Sequence, residues 1–243
     1  MKKILLSVVA LGMLASCSCH GLKVNYSKKE QAEERRMLRD FERIELLGSL
    51  DVTYQQADSF AVWVKAPVDI VKDVETRVEG NKLVINMKGE NRVVNFGVTD
   101  GDDVTVYVTS PDFIGIELKG SGDFDCKQLL DTDNLDIVLR GSGDIEFDDV
   151  ICDRVNVSLV GSGDVEVKHV KTQRSQVELV GSGDVKMNYD DSGEVEASLM
   201  GSGDIKLTGN VRSYKSNVRG SGEMDTKALL VSDKREMINT KQL

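Results

Sequence analysis

The sequence predicts an all-β chain, a parallel β-solenoid with coils of about 20 residues. Three observations predict it. The tetrapeptide GSGD recurs at Gly120–Asp123, Gly141–Asp144, Gly161–Asp164, Gly181–Asp184 and Gly201–Asp204, with GSGE at Gly220–Glu223. The starting glycines are 21, 20, 20, 20 and 19 residues apart, and a fixed period in this range marks a stacked repeat architecture. Around each copy apolar and polar residues alternate. Leu118, Leu139, Leu159, Leu179, Leu199 and Val218 precede the turn by two positions, and Phe124, Ile145, Val165, Val185, Ile205 and Met224 follow it. That is the period-two pattern of strands with one buried face. Finally, one repeat cannot bury its own apolar face, so neighbouring repeats must complete the columns.

The elements follow in chain order. Lys2 and Lys3 precede a short apolar run, Ile4 to Leu14, and then Leu14-Ala15-Ser16-Cys17. The run is too short to span a bilayer as a helix. Its three-part layout is that of a secretion signal, and its end resembles a bacterial lipobox. Residues 1–16 are therefore expected to be a lipoprotein signal peptide, with Cys17 lipidated and holding the chain in a membrane. Loss of Lys2 and Lys3 takes the net charge from −10 to −12. Residues 17–34 are polar and charged, and are expected to be a tether.

Residues 35–243 form the expected folded domain. Gly48-Ser49-Leu50-Asp51, followed by Val52 and Tyr54, is a degenerate copy of the repeat. Phe60, Val62 and Val64 alternate, Gly80-Asn81 divides two strands, and a short strand is expected near Val93–Val98. Val104, Val106 and Val108 alternate before Ser110-Pro111-Asp112 leads into the regular coils at about 118–226. The irregular N-terminal region should cap the first coil, and Lys227–Leu243 the last, because an uncovered coil is an open sheet edge.

Composition narrows the function. A net charge of −10 without a basic stripe excludes nucleic acid as a partner. Only His20 and His169 are present, and neither has the context of a nucleophilic triad. No Cys/His spacing suggests zinc, and no cofactor is expected. Cys126 falls in an apolar column and reads as a buried thiol; a bridge to Cys152 is left open by the spacing. Trp63 is expected to be packing.

Two rows are candidate sites. Asp123, Asp144, Asp164, Asp184 and Asp204 should stack along one edge. Charges about 4.8 Å apart repel by roughly 0.9 kcal/mol in bulk water. Either a Ca²⁺ ladder offsets this, or each Asp caps turn N–H groups and points its charge into water. The second is preferred, because calcium-binding solenoids use a nine-residue repeat with opposed turns. The other row lies just before each turn: Lys119, Arg140, Val160, Val180, Met200 and Arg219. Its outward apolar members, Val160, Val180 and Met200, are a candidate contact stripe.

The six Gly-Ser-Gly turns, and the entry stretch from Phe41 through Gly48-Ser-Leu-Asp-Val-Thr-Tyr54, resemble the head GIN domain family of auto-transporter adhesins found in bacterial lipoproteins. The resemblance covers residues 35–243. It implies a right-handed, pectate-lyase-like β-helix and a role in adhesion, with no catalytic residues to carry over. The expectation is a non-catalytic, lipid-anchored binding module of the bacterial cell envelope, in the outer membrane, engaging a protein or glycan, with room for an oligomer. A carbohydrate-active enzyme on the same fold and a self-assembling envelope protein are the alternatives.

Overall fold

A computed structural model describes residues 30–89 and 104–233, together with the backbone of 237–242. The expected signal peptide, Cys17, most of the tether and the strand near Val93–Val98 lie outside these residues. Among the described residues there is no helix.

Five long strands form the body: β9 (Phe124–Gly141), β10 (Asp144–Gly161), β11 (Asp164–Gly181), β12 (Asp184–Gly201) and β13 (Asp204–Gly220). Each is one coil, and neighbours pair in parallel. The register is that of the repeat. Leu118 faces Leu139, then Leu159, Leu179, Leu199 and Val218. Every residue of this column is buried.

The coil is three-sided. In β10 the buried residues are Ile145, Phe147, Val150, Cys152, Val155, Val157 and Leu159. The spacing is two except at Phe147/Val150 and Cys152/Val155, where it is three. A strict alternation cannot skip a residue, so each skip is a corner at which the chain bends round the core. Gly-Ser-Gly is the third corner.

That corner admits only glycine. A Cβ on Gly141 would lie 2.0 Å from the Gly120 carbonyl oxygen, and one on Gly143 equally close to that of Gly122. The first glycine also has φ near +145°, which residues with a Cβ tolerate poorly. Leu50, in the place of the second glycine, is buried. It belongs to the coil that opens the column, in β2 (Arg43–Gly48) and β3 (Asp51–Gln56). Gly48 pairs with Gly120 and Val52 with Phe124, so the degenerate copy is a true coil.

Residues 57–89 and 104–114 cap this end. β6 (Lys82–Met87) and β7 (Thr105–Ser110) add parallel strands beside β2 and β3. Outside them the direction reverses: β4 (Ala61–Pro67) runs antiparallel to β7, β1 (Gln31–Arg36) to β4, and β5 (Val74–Glu79) to β6. Among the described residues the first strand starts at Gln31, inside the stretch expected as tether. Gly80-Asn81 is the β5–β6 turn, with Gly80 at φ 66°. Rings fill the core beneath the cap: Phe113 lies 4.1 Å from Tyr54 and 5.9 Å from Phe124, and Phe124 lies 5.4 Å from Phe147. β8 (Gly115–Gly120) joins the cap to β9.

At the other end, β14 (Met224–Asp225), β15 (Leu229–Val231) and β16 (Met237–Gln242) pair in parallel with successive parts of β13. They form a broken last coil, of which β15 and β16 lie in the stretch expected to be a cap.

The polar Asp190-Asp191-Ser192 loop is absorbed at a corner. Asp191 takes φ 44°, and the register shifts between Tyr189 and Ser192. Ser192 turns inward, where its Oγ accepts from the Thr172 N–H and donates to the Val170 carbonyl, both at 3.1 Å. Tyr189 and Ser175 meet inside the core at 2.8 Å. Burial raises the Tyr189 phenol above its usual range, so the hydroxyl stays protonated.

Candidate functional site

The Asp row forms a ladder that runs between coils. The Asp123 carboxylate accepts from the Asp144 N–H at 3.1 Å, Asp144 from Asp164 at 3.1 Å, and Asp164 from Asp184 at 3.0 Å. Asp184 accepts from Asp204 at 3.3 Å and Asp204 from Glu223 at 2.8 Å. Asp51 starts the ladder by accepting from Asp123. The expected capping is thus present, but each carboxylate caps the following coil, not its own turn. One oxygen of each Asp is committed to this bond, which stitches the stack together at an exposed edge. Among the described residues no group of three or more His, Cys, Asp or Glu is arranged to hold a metal ion.

The row before the turn is where alternation puts it. Arg140, Val160, Val180, Met200 and Arg219 pair in register across five strands. Val160 is 39% exposed and Met200 47%, with Val180 half-buried between them. At one end Lys119 is held by Glu45 at 2.7 Å and by Glu117 at 3.0 Å. Hydrogen bonds from Lys119 and Lys82 hold the Glu45 carboxyl below its usual range. The stripe is therefore a short apolar strip on a flat sheet, bounded by a fixed ion-pair network and, at the other end, by Arg219.

The far end of the same face, flanking the buried Val155 and Ser175, carries a feature that sequence reading missed. A groove of about 500 Å³ is lined by Arg154, Asn156, Arg174, Gln176, Glu196 and Lys215, among others. Arg154 and Arg174 are stacked on adjacent coils, with Asn156 and Gln176 stacked beside them. Both arginines are exposed. Three nearby carboxylates are bonded to other groups: Asp136 to Arg43 at 2.7 Å and Asn156 at 2.8 Å, Asp153 to Gln173 at 2.7 Å, and Glu194 to Arg212 at 2.9 Å. Glu196 stands in register between Gln176 and Lys215. Burial pushes the Asp136 carboxyl up, but the bonds from Asn156 and Arg43 outweigh it and leave it lowered.

Other residues are placed without forming a reactive group. Trp63 is half-buried on the cap and stacks on Tyr107 across β4 and β7, with centroids 6.2 Å apart. Cys126 and Cys152 are both free and buried. They occupy different columns, Cys126 beside Phe147 and Cys152 beside Thr132. Burial pushes the Cys126 thiol up to about 11, away from nucleophilic use. His169 stands outside a corner, where its Nδ1 lies 3.4 Å from the Asn188 amide and 3.6 Å from Asp190.

A family model described as putative auto-transporter adhesin, head GIN domain, matches residues 40–168 and 160–237. Among solved structures, a putative adhesin from Bacteroides fragilis is 22% identical, with a TM-score of 0.63 over 81% of this chain and 97% of that one. A putative adhesin from Parabacteroides distasonis is 20% identical, with a TM-score of 0.68 over the same shares. A putative lipid binding protein from Parabacteroides distasonis is also 20% identical, with a TM-score of 0.52 over 88% of this chain and 97% of that one. At these identities the likeness is one of fold. Among curated proteins, none matches the chain significantly.

Proposed function

Because the chain belongs to the head GIN domain family of putative auto-transporter adhesins, we propose that it is a non-catalytic adhesion module, anchored in the bacterial outer membrane by lipid on Cys17. Residues 17–30 act as the tether, and the solenoid is held out as a rigid body. The single observation that carries the binding role is the in-register strip Val160–Val180–Met200 on an otherwise polar sheet. Scattered exposed apolar residues need no explanation, whereas a strip of them in register is the kind of patch that marks a contact, and this supports the reading. Its partner is an envelope or host-surface protein with a small apolar centre and an acidic rim facing Arg219 and Arg140. Rigidity supports this reading, since a face whose rows are fixed by backbone pairing loses little entropy on binding.

The test has two arms. Cells fed an alkyne-bearing fatty acid should label the full chain in the membrane fraction, and Cys17→Ala should abolish the label. Cross-linked pull-downs from intact cells should recover a protein that the Val160→Asp/Met200→Asp variant loses, with its circular dichroism unchanged. Equal recovery by that variant would remove the strip from the function. Turnover of a glycan by the wild-type chain would make it an enzyme.

A further inference from the structure

The groove at Arg154 and Arg174 is a second site on the same face. In a chain of net charge −10, two exposed arginines stand in register on adjacent coils, whose backbones lie about 4.8 Å apart. Like charges so placed repel unless an anion lies between them. Most of the acids that could serve are bonded by other groups: Asp136 by Arg43 and Asn156, Asp153 by Gln173, Glu194 by Arg212. Glu196 stands in register between Gln176 and Lys215, two coils from Arg154, which leaves the cations of the lining in excess. Beside the pair, Asn156, Gln176 and Lys215 line the same groove.

We propose that this groove binds an anionic oligosaccharide, with the two guanidiniums clamping an acidic substituent and the amides receiving the sugar hydroxyls. Arg is suited to this because its planar fork binds an oxyanion through two parallel hydrogen bonds. The lining favours a sugar over an acidic peptide. A peptide partner needs buried apolar or aromatic anchors, and the groove offers charged and amide groups instead. The acidic substituent is a carboxylate or a sulfate, both of which fit the same fork. The inference rests on the binding-module reading but uses residues outside the apolar strip.

The experiment is isothermal titration of the purified full chain with four probes: an oligogalacturonate of defined length, its methyl ester, a carrageenan oligosaccharide (sulfate without carboxylate) and poly-glutamate. Acidic sugar should bind, weaken as salt is raised, and bind at least tenfold less tightly to Arg154→Gln/Arg174→Gln. The methyl ester should bind at least tenfold less tightly than the acid. Which acidic sugar binds more tightly assigns the substituent as carboxylate or sulfate. The proposal is overturned if neither acidic sugar binds, if the ester binds as well as the acid, if the arginine variant keeps wild-type affinity, or if poly-glutamate binds as tightly. The variant Lys186→Gln, on another face, should bind like wild type. Loss of sugar binding with the pull-down intact would remove the groove alone, and the converse would remove the strip.

Discussion

A methyl group at Gly143 would lie 2.0 Å from the Gly122 carbonyl oxygen, inside van der Waals contact with backbone that cannot move without its whole coil. Gly143→Ala should therefore destabilise the chain by about 2–3 kcal/mol, the usual cost of overpacking. Gly48→Ala meets open space and suffers only from φ 93°, a strain of about 1–2 kcal/mol. Urea unfolding of the two variants separates close approach from backbone strain; equal losses would overturn the account. Glu146 gives a second test at this scale. Hydrogen bonds from Lys127 and Lys168 lower its carboxyl to about 2. A carboxyl lowered in the folded state stabilises above its unfolded value near 4.5, and that contribution fades as the pH falls towards 2. The pair network is largely exposed, which limits the effect to about 1 kcal/mol. Glu146→Gln should be less stable than wild type at pH 6 and should converge with it near pH 2. Parallel pH profiles would show that the network contributes nothing.

A coil is the unit of this structure, and most of it was legible as such. The period gave the register, the alternation gave the buried columns, and GSLD was enough to place the first coil over Gly120 and Phe124. The cap was legible only as strands, because its antiparallel partners carry no repeat from which direction could be read. The corners at Phe147/Val150 and Cys152/Val155 were hidden for another reason, since the alternation on either side looks the same until a skipped residue is counted. The arginine pair escaped because the column reads Asn134, Arg154, Arg174, Glu194, Ser213. With no constant residue type, nothing in the repeat drew attention to it. If the coil is the unit, deleting Gly161–Val180 joins Val160 to Gly181 and keeps every column in register. That protein should fold with the same circular dichroism shape and with stability reduced by roughly one coil's share, since such stacks are held by nearest-neighbour contacts. Deleting Gly161–Val170 instead leaves half a coil, so that the next Gly-Ser-Gly corner, at Gly181, no longer stacks on those before it, and should leave the chain unfolded. Cooperative folding of both, or of neither, would reject the modular account.

At the scale of the whole molecule, a stack of parallel coils has two ends, and each could receive another strand. The N-terminal end is closed by reversal and by charge: β1 is QAEERR and β5 is VETRVE, edge sequences that resist pairing with a second chain. The C-terminal end depends on short pieces. β15 covers Gly209–Val211 and β16 covers Tyr214–Arg219. Beneath them lie Val211, Tyr214 and Val218, buried ends of three columns. Removing residues 227–243 would uncover both the backbone edge of β13 and these side chains. Truncation at Thr226 should therefore turn the chain into a concentration-dependent oligomer by light scattering, with more strand signal per residue as edges pair. The same truncation with Val218→Lys should remain monomeric, because a charge at the opened edge opposes pairing. A truncated chain that stays monomeric without that lysine would mean that β13 guards its own edge and that the last coil serves another purpose. Under the proposed adhesion role the closed ends matter, because a tethered module could present one face to a partner only if its ends did not capture its neighbours first.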